Sequence, residues 1–169
     1  MLSNEQSIVV NCTAGEVFSF VSDATNDPKW HTTVLQAVQT SPGPVGLHTT
    51  ADIVYKGLGR HKMRAEVIEF DRDSRVVIEV SFVSAKGLAP RVMGKPRLSF
   101  WVKPIDGGTL LTRRVEFQPS GVFRLVERIG LVKRSNDARN IELLNNLKAA
   151  VEAKTDARDA AGQVKGEQP

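Results

Sequence analysis

The chain is poor in reactive side chains: one cysteine (Cys12), one tyrosine (Tyr55) and three histidines among 169 residues. A lone cysteine excludes an intramolecular disulfide and suits a reducing compartment, so a cytoplasmic protein is expected. His31, His48 and His61 are scattered without helical or knuckle spacing, so no metal site is expected. Gly57-Leu58-Gly59 lacks the context of a phosphate loop and reads as a turn, and nothing else supports a redox or nucleotide cofactor. No apolar run approaches the ~18 residues of a membrane span. The opening Met1-Leu2-Ser3-Asn4-Glu5-Gln6-Ser7 lacks the basic segment and apolar core of a secretory signal. A formal charge of +4 is too small for a nucleic-acid footprint, though it favours anionic partners weakly.

What is present is an ordinary globular composition, 41% hydrophobic and 25% charged, enough to bury one core. We read residues 1–154 as one ligand-binding domain and 155–169, small and polar, as a flexible tail. Ile8-Val9-Val10 marks a short strand within Ser7–Cys12. Thr13-Ala14-Gly15-Glu16 fits a capping box that starts a helix carrying Val17, Phe18, Phe20 and Val21. Asp23–Asp27 reads as a loop, after which Pro28 opens a second helical turn bearing Trp30. Six further strands are predicted at 34–40, 48–56, 60–70, 75–83, 95–103 and 109–118, separated by short turn-forming segments that imply an antiparallel meander. After Pro119 the period becomes helical, from Val122, Leu125, Val126 and Ile129 to Leu143, Leu144, Leu147 and Val151, with a break at Gly130. A long amphipathic helix and a one-sided sheet must cover one another, and a curved sheet around the helix does so.

This order resembles the START/polyketide cyclase (SRPBCC, Bet v 1-like) superfamily, and most of all its bacterial polyketide cyclase/dehydrase and lipid-transport branch. The resemblance covers residues from about 6 to 153. It rests on Val17-Phe18-Ser19-Phe20-Val21-Ser22-Asp23, Asp27-Pro28-Lys29-Trp30, Glu66-Val67-Ile68-Glu69-Phe70-Asp71, Gly108-Thr109 to Phe117-Gln118-Pro119, and Asn145-Asn146-Leu147-Lys148. It implies an α+β helix-grip fold: a curved antiparallel seven-stranded sheet wrapped around a long C-terminal helix, with two short helices after strand 1. It further implies a hydrophobic cavity for a lipid-like or polyketide-like ligand, either carried or cyclised and dehydrated, and it supplies no single catalytic motif. A third reading, a protein-interaction module, is open to the same fold.

Strand alternation nominates the lining of such a pocket. Ala51, Ile53 and Tyr55 share one face, as do Met63, Ala65 and Val67. Val76, Ile78, Val80 and Phe82 follow, then Leu98, Phe100 and Val102. Val115 and Phe117 complete the sheet, and Val122, Leu125, Val126 and Ile129 the helix. For most of these, closed core is the readier explanation. Arg113 falls between Leu111 and Val115 on the inward parity, where a guanidinium needs a carboxylate or an anionic ligand group. His61 and Tyr55 are candidates for acid–base or orienting roles at the pocket mouth, with Arg113 polarising a carbonyl. Trp30 is a candidate wall beside His31, His48 looks like a surface residue, and Asn136 and Asn140 lie on or near the helical stripe. Two stretches carry bases and no acid: Lys56, Arg60, Lys62 and Arg64, then Lys86, Arg91, Lys95, Arg97 and Lys103. Together they suggest a positive mouth for an anionic head group or transient contact with an anionic membrane. Monomer and homodimer both remain open.

Overall fold

The computed structural model describes residues 2–56, 59–84, 90–91, 94–117 and 131–165. Seven strands form one antiparallel sheet: β1 Leu2–Val10, β2 Val34–Gln39, β3 Thr50–Lys56, β4 Arg60–Asp71, β5 Arg75–Phe82, β6 Arg97–Ile105 and β7 Gly108–Phe117. Their spatial order is β1-β7-β6-β5-β4-β3-β2. Helix α1 spans Ala14–Ser22, a 3₁₀ helix follows over Ala24–Lys29, and the long helix α2 spans Leu131–Lys165. This is the α+β helix-grip architecture that the element order implied.

The capping box forms as its residue types require. Glu16 N–H donates to the Thr13 hydroxyl at 3.4 Å, and Thr13 N–H donates to the Glu16 carboxylate at 2.9 Å. The next short helix starts earlier than Pro28, because Asp23 caps it by accepting from Thr25 N–H at 2.9 Å. Strand β1 also starts earlier, at Leu2, and pairs with β7 along its full length, Gln6 opposite Arg113. Its first half alternates polar with polar, so hydrophobic period gives no sign of it.

On β4 the register shifts between Val67 and Glu69. This bulge turns Phe70 to the inner face, where its ring meets that of Phe18 edge-on with centroids 5.1 Å apart;. At the β6–β7 turn Gly107 and Gly108 hold φ of 82° and 155°. A Cβ on Gly108 would collide with the carbonyl oxygen of Val10, so the turn and the end of β1 meet where only glycine fits;.

Helix α2 runs past the compositional boundary at Thr155 to Lys165, over a segment whose Ala153, Ala157, Ala160 and Ala161 favour helix. Its Leu143, Leu144, Leu147 and Val151 are buried against Val10, Val17, Val76, Phe100, Val102 and Leu111. The expected helical lining residues Val122, Leu125, Val126 and Ile129 lie outside the described residues, as does the side chain of Asn136.

Candidate functional site

The inner face of the sheet divides along its length. At the end covered by α1 and the Leu143–Val151 part of α2 it is sealed. Towards the β3–β4 hairpin and the end of β7, inward residues become only half-buried: Tyr55, His61, Phe82, Leu98 and Phe117, with Asn4 and Gln6 on β1. Of the pocket candidates, Ile53, Met63, Ala65, Ile78, Val80 and Phe100 belong to the buried core cluster, and Val115 is buried as well.

A row of rings that ends at one cation crosses the division. The rings of Phe82 and His61 lie 5.5 Å apart, and His61 is paired with Tyr55 across the β3–β4 ladder. The Tyr55 ring lies 6.3 Å from that of His31, which lies 5.2 Å from that of Trp30. The guanidinium carbon of Arg113 sits 5.7 Å from the centre of the Trp30 ring. Cross-strand pairing sets the His61–Tyr55 step. The 3₁₀ helix sets the His31–Trp30 step, because Asp27 C=O accepts from both Trp30 N–H at 3.2 Å and His31 N–H at 2.8 Å.

Arg113 is only 4% exposed. Nη1 donates to Asn140 Oδ1 on α2 at 2.7 Å, and no carboxylate forms an ion pair with it among the described residues. Its Nε and the Trp30 indole Nε1 are both buried without a hydrogen-bond partner. A cation held this way retains donor capacity that nothing nearby uses.

The electrostatics follow from burial. Desolvation pushes the Asp27 carboxyl up to about 7, opposed by the field of Arg113 and by the nearby Trp30 N–H, which falls short of a true hydrogen bond. Desolvation pulls the His31 imidazole down to about 3, helped by Arg113 and Arg139, so this ring is neutral at physiological pH. Burial brings the Arg113 guanidinium down to about 10 against the pull of Asp27, so it remains a cation. His31 Nδ1 and the Thr33 hydroxyl share a hydrogen bond of 3.0 Å. Sequence reasoning missed Asp27 as a site residue, although it stands in a motif already singled out. Only its distant neighbour Arg113 and its burial distinguish it from a surface aspartate.

His48 is exposed and lies 3.2 Å from Glu66. Within the expected basic stretches, Arg64 pairs with Asp52, and Lys95 and Arg97 pair with Glu79. Among the described residues no His/Cys/Asp/Glu cluster could hold a metal ion, and no helix is long and apolar enough to cross a membrane. An open groove of about 310 Å³ runs beside Trp30, between Pro28-Lys29, Thr32 and the α2 residues Asn146, Ala149 and Ala150.

The fold is that of Bet v 1/START-like helix-grip proteins. Residues 1–152 match the family described as "Polyketide cyclase / dehydrase and lipid transport", and the chain belongs to it. Solved structures agree at the level of fold. The di-domain ARO/CYC StfQ from the steffimycin biosynthetic pathway superposes with a TM-score of 0.67 at 15% identity, over 91% of this chain. This chain spans about half of StfQ, 52% of its length. A START superfamily protein from Mycobacterium smegmatis gives a TM-score of 0.61 at 14% identity, covering 92% of this chain and 97% of that one. Ara h 8.0201 gives 0.63 at 13%, covering 90% and 98%. A search of curated protein sequences found no match.

Proposed function

We propose that the half-buried end of the inner face binds a small, largely apolar ligand whose terminal oxygen accepts from Arg113. The observation that carries this reading is the pair of buried, unpartnered donors, Arg113 Nε and Trp30 Nε1, on side chains whose guanidinium carbon and ring centre lie 5.7 Å apart. Leaving such a group unsatisfied costs about 1–3 kcal/mol, and a ligand oxygen would remove that cost. Tyr55, Phe82, Leu98 and Phe117 supply apolar surface along the same face, which is the usual division of labour in a ligand site. The family's lipid-transport members and StfQ's place in a biosynthetic pathway support a lipid-like or polyketide-like ligand. Lys56, Arg60 and Lys62 near the β3–β4 hairpin are exposed and would favour an anionic head group or membrane surface nearby;.

The test is native mass spectrometry of freshly purified protein, with solvent extraction of any retained mass. Wild type carrying a lipid-like mass that the Arg113→Met variant loses supports the reading. Wild type that stays free of ligand when offered fatty acids, sterols and aromatic polyketides overturns it.

A cyclase or dehydratase is the second reading, and Asp27 favours it. A carboxyl titrating near neutrality beside a cation can exchange a proton with a ligand whose carbonyl Arg113 polarises;. Tyr55 and His61, cross-strand partners, stand along the same row.

A further inference from the structure

Arg113 is buried with a neutral partner, whereas arginines on the outer face of the sheet are paired with acids. Arg64 meets Asp52, Arg75 meets Glu69, Arg97 meets Glu79, and Arg114, next to Arg113 in the chain, meets Glu5. We infer that Asn140 sets the charge of the ligand: it holds Arg113 with an amide in place of a carboxylate, and so reserves the guanidinium for a carboxylate-ended apolar ligand. This inference rests on the binding reading of the same site and adds the ligand's charge and the residue that selects it.

Asn140 stands on α2 and accepts from Arg113 Nη1 at 2.7 Å. A guanidinium carries donors and no acceptor, so this bond fixes the amide: Oδ1 faces Arg113, and the NH₂ is left as a donor beside it. Arg113 Nε and Trp30 Nε1 are donors too, buried and without a partner. The set is donors around one positive charge, which suits a carboxylate, a group that only accepts and is itself charged. An alcohol also needs an acceptor for its own proton, which these donors do not offer. The side chains around the guanidinium add no counter-charge: its ladder neighbours are Gln6 and Phe100, and the ring beneath it is Trp30. None of the ion pairs among the described residues includes it, and Asp27 acts there as a field without an ion pair. Burying a cation among neutral groups is unfavourable, and an entering carboxylate relieves that. Asn140→Asp would relieve it from within, because a carboxylate has the shape of the amide and would form the ion pair that the outer arginines already have. The guanidinium would then be satisfied, and the added negative charge would repel an anionic ligand.

The experiment is titration calorimetry of the full chain with sodium decanoate and with 1-decanol, at about pH 8, where the decanoate carboxylate is ionised. Wild type should bind decanoate about tenfold more tightly than decanol, the scale of one hydrogen bond to a charged group. Asn140→Asp should lose about tenfold in decanoate affinity, while its affinity for decanol changes by less than about threefold. Asn140→Ala, which removes a donor and adds no charge, should fall between wild type and Asn140→Asp for decanoate. A tether that only holds α2 to the sheet gives the opposite order, since Asn140→Asp keeps the bond to Arg113 and Asn140→Ala loses it. Decanoate bound by Asn140→Asp as tightly as by wild type, or more tightly than by Asn140→Ala, therefore overturns the selection and leaves the pocket standing. Asn140→Asp should also unfold in urea at the wild-type midpoint or higher. A destabilised Asn140→Asp overturns the inference as well, because it shows that Arg113 has no charge left to balance. Wild type that prefers decanol overturns the carboxylate class and leaves the pocket standing. Binding of neither probe overturns the pocket reading, and the selection with it.

Discussion

The guanidinium of Arg113 lies over the face of Trp30, 5.7 Å from its centre, and is tied to α2 by a single hydrogen bond to Asn140. Sheet, 3₁₀ helix and long helix therefore meet at one buried cation. A buried charge without an ion pair adds little to stability, because desolvation offsets what its neighbours return. Arg113→Met, of similar reach and no charge, should unfold in urea at the same midpoint as wild type or higher, while ligand affinity falls at least tenfold. Destabilisation by more than about 2 kcal/mol would instead mark Arg113 as a strut of the fold.

Asp27 and His31 pull stability in opposite directions with pH. Asp27 is raised from 3.8 to about 7, so its contribution is present below pH 3.8 and is lost as pH rises towards 7. His31 is lowered from 6.5 to about 3, so its contribution is present above pH 6.5 and is lost as pH falls towards 3. Each slope is about 1.4 kcal/mol per pH unit. Between about pH 4 and 6.5 they cancel. Wild-type stability from this pair should be flat there, Asp27→Asn should lose stability on acidification, and His31→Asn should lose it on alkalinisation. Urea midpoints at pH 4.5, 5.5 and 6.5 for the three proteins decide the matter.

The grip of α2 on the sheet depends on a few side chains. Leu147 is fully buried in the core cluster, whereas Ile141 on the same helix is 50% exposed. Leu147→Ala should cost about 2–5 kcal/mol, and Ile141→Ala less than about 0.5 kcal/mol. Thermal unfolding followed by circular dichroism separates the two.

Gly108→Ala tests the corner where β1 ends. Its added methyl would collide with the Val10 carbonyl in a conformation that L residues rarely adopt. Backbone must move, so destabilisation of about 1–3 kcal/mol or more is expected. Amide exchange should be fastest along the Val10–Thr109 end of the β1–β7 ladder, which that pairing defines. A variant as stable as wild type would show that the corner relaxes freely.

Much of this architecture was legible in the chain because hydrophobic period and turn residues act locally. Parity carried Arg113 inward, since Leu111 and Val115 leave it no other face, and the structure buries all three. The opening of β1 was hidden because Asn4 and Gln6 occupy inward positions opposite Val115 and Arg113, and polar residues there carry no periodic signal. Asp27 and His31 were not readable as a titrating pair. Their protonation is set by burial and by a guanidinium on a distant strand, and neither is a property of their own segment. The early start of the 3₁₀ helix turned on one Asp23 side chain capping a backbone amide, a choice that a loop-like composition conceals.

The second tryptophan lies on the outer face. Trp101 is flanked by the guanidinium groups of Arg75 and Arg114, at 5.3 and 5.1 Å from its ring, while Trp30 sits inside beside Arg113. The molecule thus has two fluorophores in separate settings, one facing the proposed ligand and one remote from it. In Trp101→Phe, emission comes from Trp30 and reports directly on occupancy of the site. In Trp30→Phe, Trp101 should stay silent to ligand and register only unfolding. An optical assay for an unknown ligand is therefore built into the chain, with its own internal reference.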